Sequence, residues 1–313
     1  MLRYAVGLLF SVLVGACDSG TASGISGAGA SPREGPVKVL ATTGMIGDIA
    51  RRVAGPHARV ESLMGPGVDP HLYKPSEGDV RRLGEADLIL YNGLNLEGKM
   101  GDIFVSLARR GRSVLAVTET IPRDKLREPP EFLGHYDPHV WFDVSLWALT
   151  IRPIARELAA LDPVHSSDFD RNAAALEEEL KVLDLEVEKR IAEIPEPQRV
   201  LVTAHDAFGY FGRRYRIEVV GLQGISTVAE AGLRDVERLT DAIVARKVKA
   251  IFIESSVSPR AIEAVQKACE SRGHKVVIGG QLFSDAMGAA GTMEGTYPGM
   301  VRHNVKTIVE ALR

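Results

Sequence analysis

The sequence predicts an α/β protein of two similar lobes, each a four-stranded parallel sheet with flanking helices, joined by one long helix. Three observations predict it. Short apolar runs alternate with helical patterns along most of the chain; the first four runs and their surroundings are echoed by the last four; and one uninterrupted apolar stripe lies between the two sets. A length of 313 residues fits two domains, at roughly 100–200 residues each. With 45% hydrophobic and 25% charged residues the composition is that of a globular protein, not of a disordered, collagen-like or multi-span membrane chain. Net charge is −3 with no long basic run, so no nucleic-acid footprint is expected. Two cysteines cannot build a disulfide framework or a cysteine-rich zinc module.

The chain opens with Arg3 ahead of an apolar stretch from Tyr4 to Ala16. That stretch is too short to cross a bilayer core of ~30 Å as a helix and fits the core of a secretory signal. It ends Val14-Gly15-Ala16-Cys17, which resembles a bacterial lipobox. Residues 1–16 are therefore expected to be removed and Cys17 to carry lipid, anchoring the protein to a membrane outside the cytoplasm, in a periplasm or at a cell surface. Residues 17–36 are rich in Gly, Ser and Ala, a composition that cannot bury a core and behaves as a flexible tether. Cys269, in a helical pattern, is read as packing.

In the expected first lobe, 37–163, the strand-like runs are Val37–Thr42, Arg59–Met64, Asp87–Tyr91 and Ser113–Val117. In the second, 196–313, they are Arg199–Thr203, Ile217–Leu222, Lys249–Glu254 and Lys275–Ile278. Continuous apolar runs alternating with helices are the pattern of parallel sheets covered on both faces. The halves also match in order. Val39-Leu40-Ala41-Thr42 pairs with Val200-Leu201-Val202-Thr203, Gly47 and Arg51-Arg52 with Gly209 and Arg213-Arg214, and Asp79 to Leu83 with Asp235 to Leu239. Between them, in 164–195, apolar residues at Phe169, Ala173, Leu176, Leu180, Leu183, Val187, Ile191 and Ile194 make one stripe, with charge on the other faces. Pro195 and Pro197 end it. About 27 residues at ~1.5 Å each reach roughly 40 Å, the width of two lobes, so this is read as a spine packed across both.

The chemistry concentrates on histidines. Asp-Pro-His occurs twice, as Asp69-Pro70-His71 and Asp137-Pro138-His139, and His205 follows the strand Arg199–Thr203. Proline fixes its own φ and biases the residue before it to extended geometry, which presents each imidazole from a stiff loop. Ligands of parallel α/β sheets bind beyond the C-terminal strand ends. Two readings remain open from pattern alone: a shared His metal site, or two turns that happen to contain Asp-Pro. The second lobe offers Asp285 after its last strand, with Glu254 as the competing carboxylate. Gly93 to Lys99 nearly spells a phosphate-binding loop, but Met100 stands where Mg²⁺ needs a hydroxyl. His135 and His139 are separated by Pro138 and are no helical zinc pair.

The stretches VLATTGMIGDIA, GVDPHLYKPSEGDV, HYDPHVWFD, TAHDAFGYF, GISTVAEAG and GGQLFSDAMG, with GTYPGM following, resemble in combination the TroA-like zinc/manganese-binding lipoproteins of bacterial ABC importers. The resemblance covers roughly 36–313. It implies two lobes on a long helix with a metal held between them, on His71, His139, His205 and Asp285. It implies a non-enzymatic solute-binding protein that captures Zn²⁺ or Mn²⁺ and hands it to the transmembrane subunit of an ABC permease, as a monomer with no nucleic-acid partner. His205 stands where many manganese members carry Glu, and the long His-rich loop of many zinc scavengers is absent from 118–138. Three imidazoles favour Zn²⁺ in vitro. Glu254 and Asp206 are candidates to orient the histidines. The rival readings are a secreted zinc hydrolase or lyase, and a surface lipoprotein adhesin.

Overall fold

The computed structural model describes residues 35–132 and 134–313; the signal segment, Cys17 and most of the tether read from the sequence lie outside them. Among the described residues no helix is long and apolar enough to cross a membrane. The first lobe runs β1 (Val37–Ala41), α1 (Gly44–Ala54), β2 (Ala58–Ser62), α2 (Glu77–Glu85), β3 (Leu88–Tyr91), α3 (Gly101–Arg109) and β4 (Ser113–Ala116). All its strand pairs are parallel, in the order β2-β1-β3-β4. Helices α4 (Val144–Trp147) and α5 (Ile151–Leu161) lead into the long α6 (Ser166–Ile191). The second lobe follows as β5 (Val200–His205), α7 (Gly209–Tyr215), β6 (Glu218–Gln223), α8 (Leu233–Arg246), β7 (Ala250–Glu254), α9 (Arg260–Ser271), β8 (Val277–Leu282) and α10 (Tyr297–Leu312).

The second lobe repeats the strand order of the first with a looser centre. β5 pairs with β6 and β7 with β8, both parallel, and β5 lies beside β7. The order β6-β5-β7-β8 thus mirrors β2-β1-β3-β4. The expected four-stranded ladder is split, however: among the described residues no ladder joins β5 to β7. A side chain bridges them instead, with Glu254 at the end of β7 accepting from the backbone N–H of His205 at the end of β5, at 2.9 Å. β8 also starts later than its apolar run and continues through Gly279-Gly280. Those glycines read as a loop, but they are there for close packing. A Cβ on Gly279 would come within 2.6 Å of the Ala311 side chain, and Gly280 has φ +144° against Thr307.

The repeated sequence matches have physical counterparts. Asp79 and Asp235 sit in the first turns of α2 and α8, where each carboxylate accepts the backbone N–H three residues earlier, from Ser76 at 2.9 Å and Gly232 at 3.0 Å. This is half of a capping box and satisfies an otherwise orphaned helix-start donor. The matched arginines clamp the spine. Arg52 on α1 pairs with Glu179, and Arg214 on α7 with Asp184, both acids lying on α6. The stripe from Phe169 to Ile191 is buried against α1 and α5 on one side and α7 and α10 on the other. One core therefore runs from Ile46 and Ile49 through Leu176, Leu180 and Leu183 to Phe211 and Ile308.

Removing a buried side chain from such a helix costs the transfer energy plus the cavity left behind. Leu180→Ala is expected to destabilise the protein by about 2–5 kcal/mol. Val182→Ala, on the exposed face, is expected to change stability by no more than about 0.5 kcal/mol. Urea midpoints of the two variants measure the difference.

Candidate metal centre

His205 and Asp285 stand at or just beyond the C-terminal end of a strand, and the other two candidates lie in the longer connections of the first lobe. His71 lies in the loop after β2, His205 is the last residue of β5, and Asp285 follows β8. His139 precedes a 3₁₀ turn at Val140–Phe142. In the twin tripeptides the aspartate folds back on its own loop. Asp69 Oδ1 accepts the backbone N–H of His71 at 2.8 Å, and Asp137 Oδ1 that of His139 at 3.0 Å. With proline between them, each loop has little freedom left.

The structure brings all four residues together between the lobes. One ligand atom from each of His71, His139, His205 and Asp285 lies within 4.8 Å of every other, and all four residues are buried. His71 Nε2 is 3.3 Å from His139 Nε2. His139 Nε2 is 3.4 Å from Asp285 Oδ1, and His205 Nε2 is 3.2 Å from Asp285 Oδ2. These are contact distances without hydrogen-bond alignment at the carboxylate: both Asp285 oxygens and both His205 ring nitrogens lack an aligned partner. Buried polar atoms almost always find one. Converging donor atoms with nothing aligned between them are what a cation site requires.

A family described as "ZnuA: Zinc-uptake complex component A periplasmic" matches residues 39–311. The chain belongs to the ZnuA family. It is 48% identical to the manganese-binding lipoprotein MntA of Bacillus subtilis (strain 168) over 307 residues, 98% of this chain and 99% of the relative. It is 50% identical to the zinc-binding protein TroA of Treponema pallidum (strain Nichols) over 279 residues, 89% of this chain and 90% of the relative. The solved structure of the periplasmic zinc-binding protein TroA from Treponema pallidum superposes with a TM-score of 0.86 at 51% identity, covering 89% of this chain and 99% of that one.

In this ZnuA-family chain the surrounding carboxylates set the protonation of the cluster. Burial holds the His71 imidazole down to about 3, so it is neutral at physiological pH. Burial also disfavours charge on His139, but the Asp137 hydrogen bond and the close negative charges of Asp137 and Asp285 outweigh it and raise it to about 9. His205 is likewise pushed well above its ordinary value, because Glu254 and Asp285 overcome the cost of burial. Asp285 is held well below the usual carboxylate range, against its own burial, by His205 and His139. Asp137 Oδ1 is 2.8 Å from His139 Nδ1, and Glu254 Oε2 is 2.6 Å from His205 Nδ1. Both contacts turn the Nε2 atoms inward.

Glu254 therefore faces the outer nitrogen of His205, the supporting position the sequence offered it, while Asp285 faces the inner one. Asp206 does not share this role: among the described residues no hydrogen bond or ion pair joins it to the four, and it acts on His139 only through charge, as one of several charged neighbours with Asp137, Arg127 and Glu131. The other histidines lie elsewhere. His57 bonds Asp168, His165 bonds Asp162, His274 reaches the Val248 carbonyl, His303 the Gln281 carbonyl, and His135 is exposed. The phosphate-loop lookalike is closed by its own acid, since Glu97 accepts from the N–H groups of Asn92 and Gly93. Residues the sequence did not single out complete the walls. Trp141 lies edge-on to His139 and donates its indole N–H to the Ser284 carbonyl at 3.0 Å. Arg127 pairs with the outer oxygen of Asp137 at 2.5 Å. The one signal for these supports was Asp two residues before His, twice.

The protonation pattern is testable by NMR of histidine in protein stripped of metal. His139 is expected to titrate near pH 9, and His71 to show no change between pH 5 and 8. Asp137→Asn is expected to lower the His139 midpoint, because it removes the carboxylate that faces Nδ1.

Proposed function

We propose that the protein captures a divalent transition metal outside the cytoplasm, on His71, His139, His205 and Asp285, and delivers it to the transmembrane subunit of an ABC importer. The observation that carries the reading is the spacing of the four inward donors. A tetrahedral ion with ligands at about 2.0–2.1 Å sets its ligand atoms about 3.3–3.4 Å apart. Here His71 and His139 Nε2 lie 3.3 Å apart, His139 Nε2 is 3.4 Å from Asp285 Oδ1, His205 Nε2 and His71 Nε2 are 3.2 and 4.0 Å from Asp285 Oδ2, and one ligand atom from each of the four lies within 4.8 Å of every other, a spacing that small adjustments bring to such an ion. Family membership and the names of the zinc- and manganese-binding relatives support the same cargo and the importer partner. Lipid attachment at Cys17 is part of the proposal, consistent with the relative named a lipoprotein, and so is action as a monomer. Four protein donors speak against a hydrolase, since a catalytic zinc keeps three and leaves a position for water.

Zn²⁺ is the favoured ion at equilibrium. Three imidazoles and a carboxylate are borderline donors, for which affinity rises from Mn²⁺ along the first-row series and Zn²⁺ stands well above Mn²⁺. Both oxygens of Asp285 face the imidazoles, so a bidentate carboxylate and five-coordinate Mn²⁺ fit as well. Competition titration is expected to show tighter Zn²⁺ binding; displacement of Zn²⁺ by Mn²⁺ at equal free concentration would contradict the donor-softness argument.

Metal bound only to the folded state adds RT ln(1 + [L]/Kd), about 4 kcal/mol at a thousand-fold excess over Kd. Zn²⁺ is therefore expected to raise the unfolding temperature. Alanine at His71, His139, His205 or Asp285 is expected to remove most of that rise, and alanine at His57 or His303 to leave it. Glu254→Gln is expected to weaken binding by about 10–100-fold, as loss of a ligand-orienting carboxylate does. The sign of the pH dependence follows from His139. Its folded-state value of about 9 exceeds the ordinary 6.5, so its proton stabilises the metal-free fold fully below pH 6.5 and ceases to do so as pH rises through 9. Zn²⁺ must displace that proton. The zinc-induced rise is thus expected to grow between pH 6.5 and 9, and calorimetry in buffers of different ionisation enthalpy is expected to find net proton release on zinc binding at pH 7, since His139 and His205 are both raised.

A further inference from the structure

The two Asp-Pro-His loops are held from the second lobe in different ways. In each, one aspartate oxygen is taken by the backbone N–H of the histidine two residues on, and the other oxygen faces outward. At the second loop the outer oxygen of Asp137 is bound by Arg127, from the same lobe. The buried Tyr210 on α7 then fastens the assembly: its hydroxyl accepts the Arg127 N–H and donates to the Asp137 carbonyl, both at 3.0 Å. Gly209 leaves room for this, since a Cβ there would collide with the Arg127 guanidinium. This is a rigid attachment made by a helix.

At the first loop the outer oxygen of Asp69 accepts a single hydroxyl, Thr227 Oγ1, at 2.6 Å. Thr227 lies on the connection between β6 and α8, not on a helix or strand, and is buried although its neighbour Val228 is 62% exposed. Among the described residues this is the only hydrogen bond from a side chain of the second lobe to the loop between β2 and α2. Of the three imidazole residues in the cluster, His71 is the one that retains some exposure, 5% against none for His139 and His205.

We infer that Thr227 is the latch of the metal site: its hydroxyl, by holding Asp69, holds the backbone of His71, and breaking that bond lets His71 leave first. The inference rests on the metal-capture reading above. Thr227 touches neither the ion nor its ligands and is a positioning residue. The site then opens on the side of the first loop while His139 stays fastened to α7. Opening needs only the 224–232 connection to lift, with no bend in α6.

The test is stopped-flow release of zinc from the loaded full-length protein into excess fluorescent chelator. A hydrogen bond to a carboxylate stabilises by about 1.5–3 kcal/mol, so Thr227→Val, which keeps the shape and loses the hydroxyl, is expected to release zinc about ten-fold faster or more. Thr227→Ser, which keeps the hydroxyl, is expected to stay within about two-fold of the parent rate. Circular dichroism establishes that each variant is folded, and Thr227→Ala replaces the valine variant if that one is not. Release from Thr227→Val at the parent rate would overturn the latch and leave metal capture standing. Equal acceleration in Thr227→Val and Thr227→Ser would also overturn it, because packing and not the hydroxyl would be responsible. A parent protein that holds no zinc would instead overturn the metal-capture reading itself.

Discussion

The constraint on which the arrangement depends is the burial of the Asp285 carboxylate, from the second lobe, against imidazoles two of which belong to the first. A charge in that position is costly unless it is compensated. In the absence of metal the compensation is two raised imidazoles, His139 and His205, each backed by a carboxylate of its own. On the proposed reading, these are the protons that a divalent ion would replace. The same carboxylates that keep those protons in place point the Nε2 atoms at the centre, so one set of contacts both stabilises the metal-free site and orders it for coordination.

The spine ties the two halves that supply the cluster to one helix. Arg52 and Arg214, equivalent positions in the two halves, pair with α6 at Glu179 and Asp184, and a single core crosses the helix. Further bonds cross between the halves: Tyr297, at the start of α10, donates its N–H to Asp48 and its hydroxyl to the Trp141 carbonyl. A molecule fastened along its length in this way has its freedom in the loops over the strand ends. The two Asp-Pro-His loops are fastened differently, one through Tyr210 on a helix and the other through Thr227 on a connection, and the proposed latch rests on that difference.

Much of this was legible in the sequence because it rests on local rules. The stripe from Phe169 to Ile191 is buried as its spacing required. The repeated Asp-Pro-His and the strand before His205 pointed to three histidines that the fold does bring together with Asp285. What was not legible depends on which side chain meets which across the fold. As strand-end carboxylates Asp285 and Glu254 competed, and the resemblance chose Asp285; the contact of Glu254 with the outer nitrogen of His205 depends on the packing of β5 beside β7. The continuation of β8 through Gly279-Gly280 was hidden because glycines needed for close packing look like loop glycines. Tyr210 and Thr227 lie in stretches that carry the resemblance, but nothing local in them says that one reaches Asp137 and the other Asp69 across the lobes.

The most direct test of the central claim is anomalous diffraction at the zinc edge from crystals of the zinc-loaded protein. The account predicts one strong peak between the lobes, about 2.0–2.2 Å from Nε2 of His71, His139 and His205 and from an oxygen of Asp285. A peak held by only three of these residues with water in the fourth position, or one placed elsewhere on the molecule, would contradict it.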